Sequence, residues 1–173
     1  WELTSITSFL LIGYWHQSQA ARDGARMALI VTAMGGLCLL VAMLLLGQIV
    51  GAYDIDRILS SGDVIRAHPM YPLVLALFLI GAFTKSAQFP FHFWLPGAMA
   101  APTPVSAFLH SATMVKAGVF LLVRFSPALG GTELWFFAVT GTGMATLLIG
   151  AMIALFRHDL KGLLAYSTIS HLG

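Results

Sequence analysis

Glu2, Lys85, His110, Lys116 and His171 are the side chains of this sequence best suited to holding and passing a proton, and each lies in or beside an apolar run. A lysine at the centre of a membrane helix costs roughly 2.5–3.5 kcal/mol on insertion scales, so it is normally paired, hydrated or turned into a bundle interior. Burial disfavours the charged ammonium, which allows a lysine to release and regain its proton near neutral pH. Histidine does so with little help. These residues therefore suggest proton transfer rather than the making of covalent bonds.

Lys85 is the second residue of TKSAQFPFHFWLP, residues 84–96, in which Pro90 and Pro96 follow it. It stands 13 residues after Pro72, about 20 Å along a helix at about 1.5 Å per residue. Pro90 has no amide hydrogen and its ring clashes with the carbonyl four residues earlier, which predicts a helix break that frees the Ser86 carbonyl. Non-helical backbone at membrane depth needs cover from protein or a water-filled cavity, and broken helices are common where transporters bind ions. Gln88 and Ser86 add polar atoms. The plainer reading of the same residues is a proline-bent helix end whose lysine reaches the interface.

Glu2 is the nearest evident counter-charge. If Trp15 marks an interface, Glu2 lies at a depth comparable with Lys85, and a carboxylate there would hold Lys85 protonated. His110 and Lys116 are six residues apart, hence about 120° apart around a helix, which directs them to different neighbours. A lone membrane histidine is as often a packing residue as a relay. Arg157-His158-Asp159-Leu160-Lys161 reads as a solvated helix end, and His171, ten residues after Lys161, falls back inside the bilayer.

The elements that must position these groups are apolar helices. Hydrophobic residues make up 58% of the 173 and charged ones 9%, with a mean hydropathy of +0.87, whereas soluble domains are about a quarter charged. Charge-free runs from Leu3 to Ala21, Met27 to Tyr53 and Leu134 to Phe156 are each long enough to cross a hydrocarbon core, which takes about 20 residues. The pattern predicts an all-α bundle with spans at Glu2–Ala20, Met27–Tyr53, Pro72–Ser86, Val105–Phe125 and Leu134–Phe156, and a sixth helix starting near Leu160. The segment Asp54–His68 is too charged to span and suits a surface helix. Arg22, Arg26, Arg157 and Lys161 slightly favour one face as cytoplasmic.

Residues 1–173 are expected to be one partial transmembrane domain of a longer chain, cut at both ends. The net charge of +2 is scattered and gives no case for nucleic acid. Cys38 alone can form neither a disulfide framework nor a metal cluster, and no cofactor motif is evident, so no cofactor or metal is expected. A purely structural scaffold would leave the buried lysines unexplained.

WELTSITSFLLIG, KSAQFPFHFWLPGAMAAPTPVSAFLHSATMVKAGVFLLVR and HDLKGLLAYSTISHLG together resemble the proton-translocating membrane subunits shared by respiratory NADH:quinone oxidoreductase and multisubunit sodium/proton (Mrp-type) antiporters. The resemblance implies a bundle of about fourteen helices with two inverted five-helix repeats and a broken helix near Lys85–Pro90, in keeping with transporter repeats in general. It makes Glu2 the glutamate of the fifth helix, Lys85 the lysine of the broken seventh and His110 the histidine of the eighth. His171 stands where paralogues vary between histidine and glutamine. Lys116 and the opening WELTSITSFLLIGYW look more like the antiporter's large A-type subunit than its respiratory counterparts. Gly97 departs from the aspartate or asparagine of many members. The implied activity is exchange of sodium for protons in a hetero-oligomer of membrane subunits in the bacterial plasma membrane; the alternative is a proton-pumping subunit whose redox chemistry belongs to its partners.

Overall fold

The computed structural model describes residues 1–107 and 114–173, and every regular element among them is helical. In chain order these are α1 (Glu2–Ile12), α2 (Gln19–Val50), α3 (Ile55–Ser60), α4 (Gly62–Ala67) and α5 (Tyr71–Lys85), then a 3₁₀ turn at Phe91–Phe93. They continue with α6 (Trp94–Ala98), α7 (Thr103–Ala107), α8 (Met114–Leu129), α9 (Glu133–Leu155) and α10 (Leu160–Leu172). By length and apolarity α2 and α9 can each cross a membrane, while α1 and α5 are shorter apolar helices.

Three boundaries differ from the sequence expectation. The first predicted span stops at Ile12, where the Gly13 amide donates back to the Phe9 carbonyl at 2.9 Å. Arg22-Asp23-Gly24, which falls between the first two expected spans, lies inside α2. There Gln19 donates to both Asp23 oxygens at 3.1 Å, a helix-supporting pair one turn apart. On the opposite side, buried Gly24 lies against the Gly97 carbonyl so closely that a Cβ would overlap it. The charges point outward while the glycine faces inward, so a charged triplet need not mark a loop. Finally, α8 carries Pro127 in its last turn and continues to Leu129 rather than ending at Phe125.

Polar side chains close several of the helix ends. Asp54, Thr132 and Asp159 cap α3, α9 and α10 by accepting from the Asp56, Trp135 and Gly162 amides. At one end of the bundle Arg66 donates to the Pro127 and Gly130 carbonyls, both at 3.0 Å, and the Tyr71 hydroxyl donates to Leu129 O at 2.7 Å. Elsewhere Lys161 donates to Ala101 O at 2.9 Å and Met99 O at 3.3 Å. Lys161 therefore ties the start of α10 to the segment after α6, and is more than the solvated helix end expected.

Between these ties α5 packs on α2 and α8. Leu39, Leu46, Phe78, Leu79 and Phe125 share one core, in which the Phe78 and Phe125 rings sit 5.1 Å apart. Close approach of α2 and α5 depends on glycine: a Cβ on Gly81 would lie 2.6 Å from Leu39 Cβ and 2.9 Å from the Gly35 carbonyl. Neither neighbour can withdraw without moving a helix. Gly81→Val should therefore destabilise the fold by about 1–3 kcal/mol, the usual cost of overpacking; thermal unfolding of the detergent-solubilised protein reads this as a lowered Tm, and an unchanged Tm would contradict the packing.

Candidate proton-transfer site

The site begins where α5 stops. Ala87 takes a left-handed conformation, φ 51°, the Gln88 amide donates to Phe83 O at 2.9 Å, and the Ala87 amide donates to Thr84 O at 3.5 Å. This pair of reversed bonds is a Schellman helix end, usually made by glycine. The helix thus ends before Pro90 can act on it, and the release of backbone does not depend on the Ser86 carbonyl as the sequence suggested. Pro90 lies in the turn that follows, where Phe91 donates to Gln88 O at 2.7 Å. Pro96 sits in the first turn of α6, where a missing amide hydrogen interrupts no helical bond.

Lys85 is the last residue of α5 and is 1% exposed. Its ammonium donates to Ser5 Oγ at 2.8 Å and to the Trp1 carbonyl at 3.1 Å. The Trp1 ring covers it, with Nζ 5.3 Å from the ring centroid, within the range of a cation–π contact. Ser5, Ser8 and Ile12 form the buried face of α1, and this spacing of three and four residues brings the Ser5 hydroxyl to α5 and the Ser8 hydroxyl to α8. Ser8 donates to Thr4 O at 2.5 Å and lies 2.9 Å from Met114 Sδ.

Glu2 occupies the same junction without joining Lys85 in an ion pair. Among the described residues the ion pairs are Arg66–Asp63 and Arg124–Asp56. Glu2 Oε1 is buried without a hydrogen-bond partner among the described residues and rests on Gly36 of α2, where a Cβ would overlap it. Thr84 lies against Gly35 in the same manner. Adjacent glycines on α2 therefore accept one polar group from α1 and another from α5.

The remaining residues singled out from the sequence are dispersed. His110 lies outside the described residues. Lys116 is exposed on α8, away from the buried face of Met114, Val115 and Gly118. His171 is exposed on α10, with Nδ1 2.7 Å from the Ser167 carbonyl of its own helix. Ser86 Oγ is buried without a partner among the described residues and lies against Gly118, so the polar surroundings of Lys85 extend toward α8. Gln88 donates to Leu172 O at 2.9 Å, and the Phe89 amide donates to Thr146 Oγ1 at 2.9 Å.

Apolar helices built around a buried lysine at a helix end define a polytopic membrane protein with an ionisable group in its interior. The chain belongs to the NADH:quinone oxidoreductase/Mrp antiporter transmembrane family, whose model matches residues 1–173. It is 69% identical over its full length to a probable K(+)/H(+) antiporter subunit, of the kind designated A/B, from Rhizobium meliloti (strain 1021), covering 17% of that protein. It is 55% identical over its full length to the putative antiporter subunit mnhA2 of Staphylococcus aureus (strain MRSA252), covering 22% of it. The structure of the Mrp complex from Dietzia sp. DQ12-45-1b contains a chain that matches at a TM-score of 0.93 and 47% identity, over 99% of this chain and 19% of that one. The chain thus spans about a fifth of the length of the relatives it matches.

Ser5 and the Trp1 carbonyl were not foreseen as partners of Lys85. A serine four residues after Trp1 and three before a second serine, in an apolar helix, was the available signal. Ser5→Ala removes an acceptor from a buried ammonium, which should cost about 1.5–3 kcal/mol. Exposed Thr7, bonded within its own helix at 2.9 Å, should tolerate alanine within about 0.5 kcal/mol. Thermal unfolding of the two variants separates them, and equal losses would contradict the site.

Proposed function

We propose that the chain is part of the A-type subunit of a multisubunit cation/proton antiporter of the bacterial plasma membrane, and that it moves protons through Lys85. The observation that carries this reading is a lysine ammonium 1% exposed, held by one hydroxyl, one carbonyl and an aromatic face. With no ion pair among the described residues to lock it, that ammonium is suited to giving up its proton when the local field changes. Glu2 supplies the field from its place on Gly36. A carboxylate there favours the protonated lysine, and a cation or proton reaching it weakens the hold and releases the proton from Lys85. The reaction is transport, with no covalent intermediate.

His110, Lys116 and His171 complete the proposed relay through ordered water. Lys116 and His171 face outward from this chain, toward surfaces that the rest of a protein roughly five times as long would cover. On this reading residues 1–173 carry most of the first helical repeat and the opening of the next, and other membrane subunits of the complex lie beyond it.

Sodium is the exchanged cation by the sequence resemblance. The 69% identical relative named for potassium/proton exchange supports a second reading, in which potassium takes that place. Everted vesicles carrying the complete antiporter distinguish the two through the recovery of an acid-interior pH signal on adding sodium or potassium chloride. Lys85→Ala should abolish that recovery with either salt while the complex still assembles, and Glu2→Gln should slow it and alter its pH profile. Full recovery in Lys85→Ala would refute the proposal.

A further inference from the structure

We infer that Thr146, in the middle of α9, is a positioning residue for the Lys85 helix break. The amides of residues 86–91 show why. Ser86 donates to Ala82 O at 3.0 Å, Ala87 to Thr84 O, Gln88 to Phe83 O and Phe91 to Gln88 O, all within the segment and the end of α5, while Pro90 has no amide hydrogen. The Phe89 amide is the exception. Its partner is Thr146 Oγ1, at 2.9 Å on a different helix.

Thr146 is equipped for this role. It is 1% exposed on a helix that buries little else, Gly150 being its other buried residue. Its hydroxyl donates to Thr142 O at 2.6 Å, which turns the oxygen lone pairs away from α9 and toward Phe89. A hydroxyl that spends its proton on its own helix is a committed acceptor. In a membrane interior an amide without a partner is expensive, so Phe89 stays where Thr146 is. Phe89 follows Lys85 by four residues, so the anchor fixes the exit of the break as Ser5 and Trp1 fix the ammonium. Beside it the backbone of Gly150 approaches that of Ser170, where a Cβ would lie 2.8 Å from the Ser170 amide nitrogen. Thus α9 and α10 pack as a pair. The Lys85 segment meets that pair through two hydrogen bonds, the Gln88 side chain on Leu172 O of α10 and the Phe89 amide on Thr146 of α9, and only the second holds the backbone of the break.

The consequence for transport rests on the function proposed above, whereas the hydrogen bond does not, and two readouts on the complete antiporter separate them. Hydrogen exchange of a peptide covering residues 86–91 reports the bond. Thr146→Val keeps the side-chain shape but removes the acceptor, and should accelerate exchange at Phe89 about tenfold. Thr146→Ser keeps the hydroxyl and should exchange as the parent does. Cation-dependent proton flux should fall several-fold in Thr146→Val and be restored in Thr146→Ser, at equal amounts of assembled complex. Unchanged exchange in Thr146→Val, or equal flux in the valine and serine variants, would overturn the inference. Full flux in Lys85→Ala would refute the proposed function instead, leaving the exchange result to decide the anchor.

Discussion

The structure depends on keeping one ammonium in an apolar interior. A charge removed from water must be given donors, acceptors or an opposite charge at close range, or it neutralises. Lys85 is met by a hydroxyl, a backbone carbonyl and an indole face, none of which carries a full charge. A tight ion pair would lock a lysine in its charged form, whereas neutral partners hold it in place and leave its protonation free to respond to a more distant charge. In the proposed function Glu2, at the same junction but resting on Gly36, would provide such a charge.

That arrangement sets demands on every surrounding helix. α1 has to come close enough for Ser5 to reach α5, and it does so by burying serines along the face that meets α5 and α8. α2 has to admit both the Glu2 carboxylate and the Thr84 hydroxyl, and Gly35 and Gly36 leave the space. α5 has to end at the lysine, and the left-handed Ala87 ends it. The amides beyond the end then need partners, which the segment supplies to itself except at Phe89, where α9 contributes Thr146. Small residues and hydroxyls serve here because side chains of greater volume would hold the helices apart.

Much of this was legible in the sequence, and the parts that were not have specific physical causes. The apolar run from Leu134 locates α9 and Pro72 with the break locates α5, each to within a residue, the start of α10 falls at Leu160 as expected, and the charged stretch at Asp54–His68 forms the short helices α3 and α4. The polar and proline-bearing run of residues 84–96 marks the break but not its cause, because a Schellman end made by Ala87 leaves no glycine to announce it. The early end of the first span was hidden because Gly13 to Ser18 is as uncharged as the run of residues before it. Lys85 stood out as a charge in an apolar run. Its partners did not, since a backbone carbonyl has no sequence signature and a serine in a membrane helix can serve many purposes. Contacts such as Glu2 on Gly36 join residues far apart in the chain, and only their packing brings them together.

In the proposed function Lys85 exchanges a proton rather than serving as a fixed buried charge. Lys85→Arg separates these roles, because a guanidinium keeps its charge at every accessible pH. Cation-dependent proton flux through the complete complex carrying this variant is the most direct measurement. If Lys85 exchanges a proton, the complex assembles and its flux is lost; an assembled complex that transports at the parent rate would show that a permanent charge suffices and would refute proton exchange at Lys85.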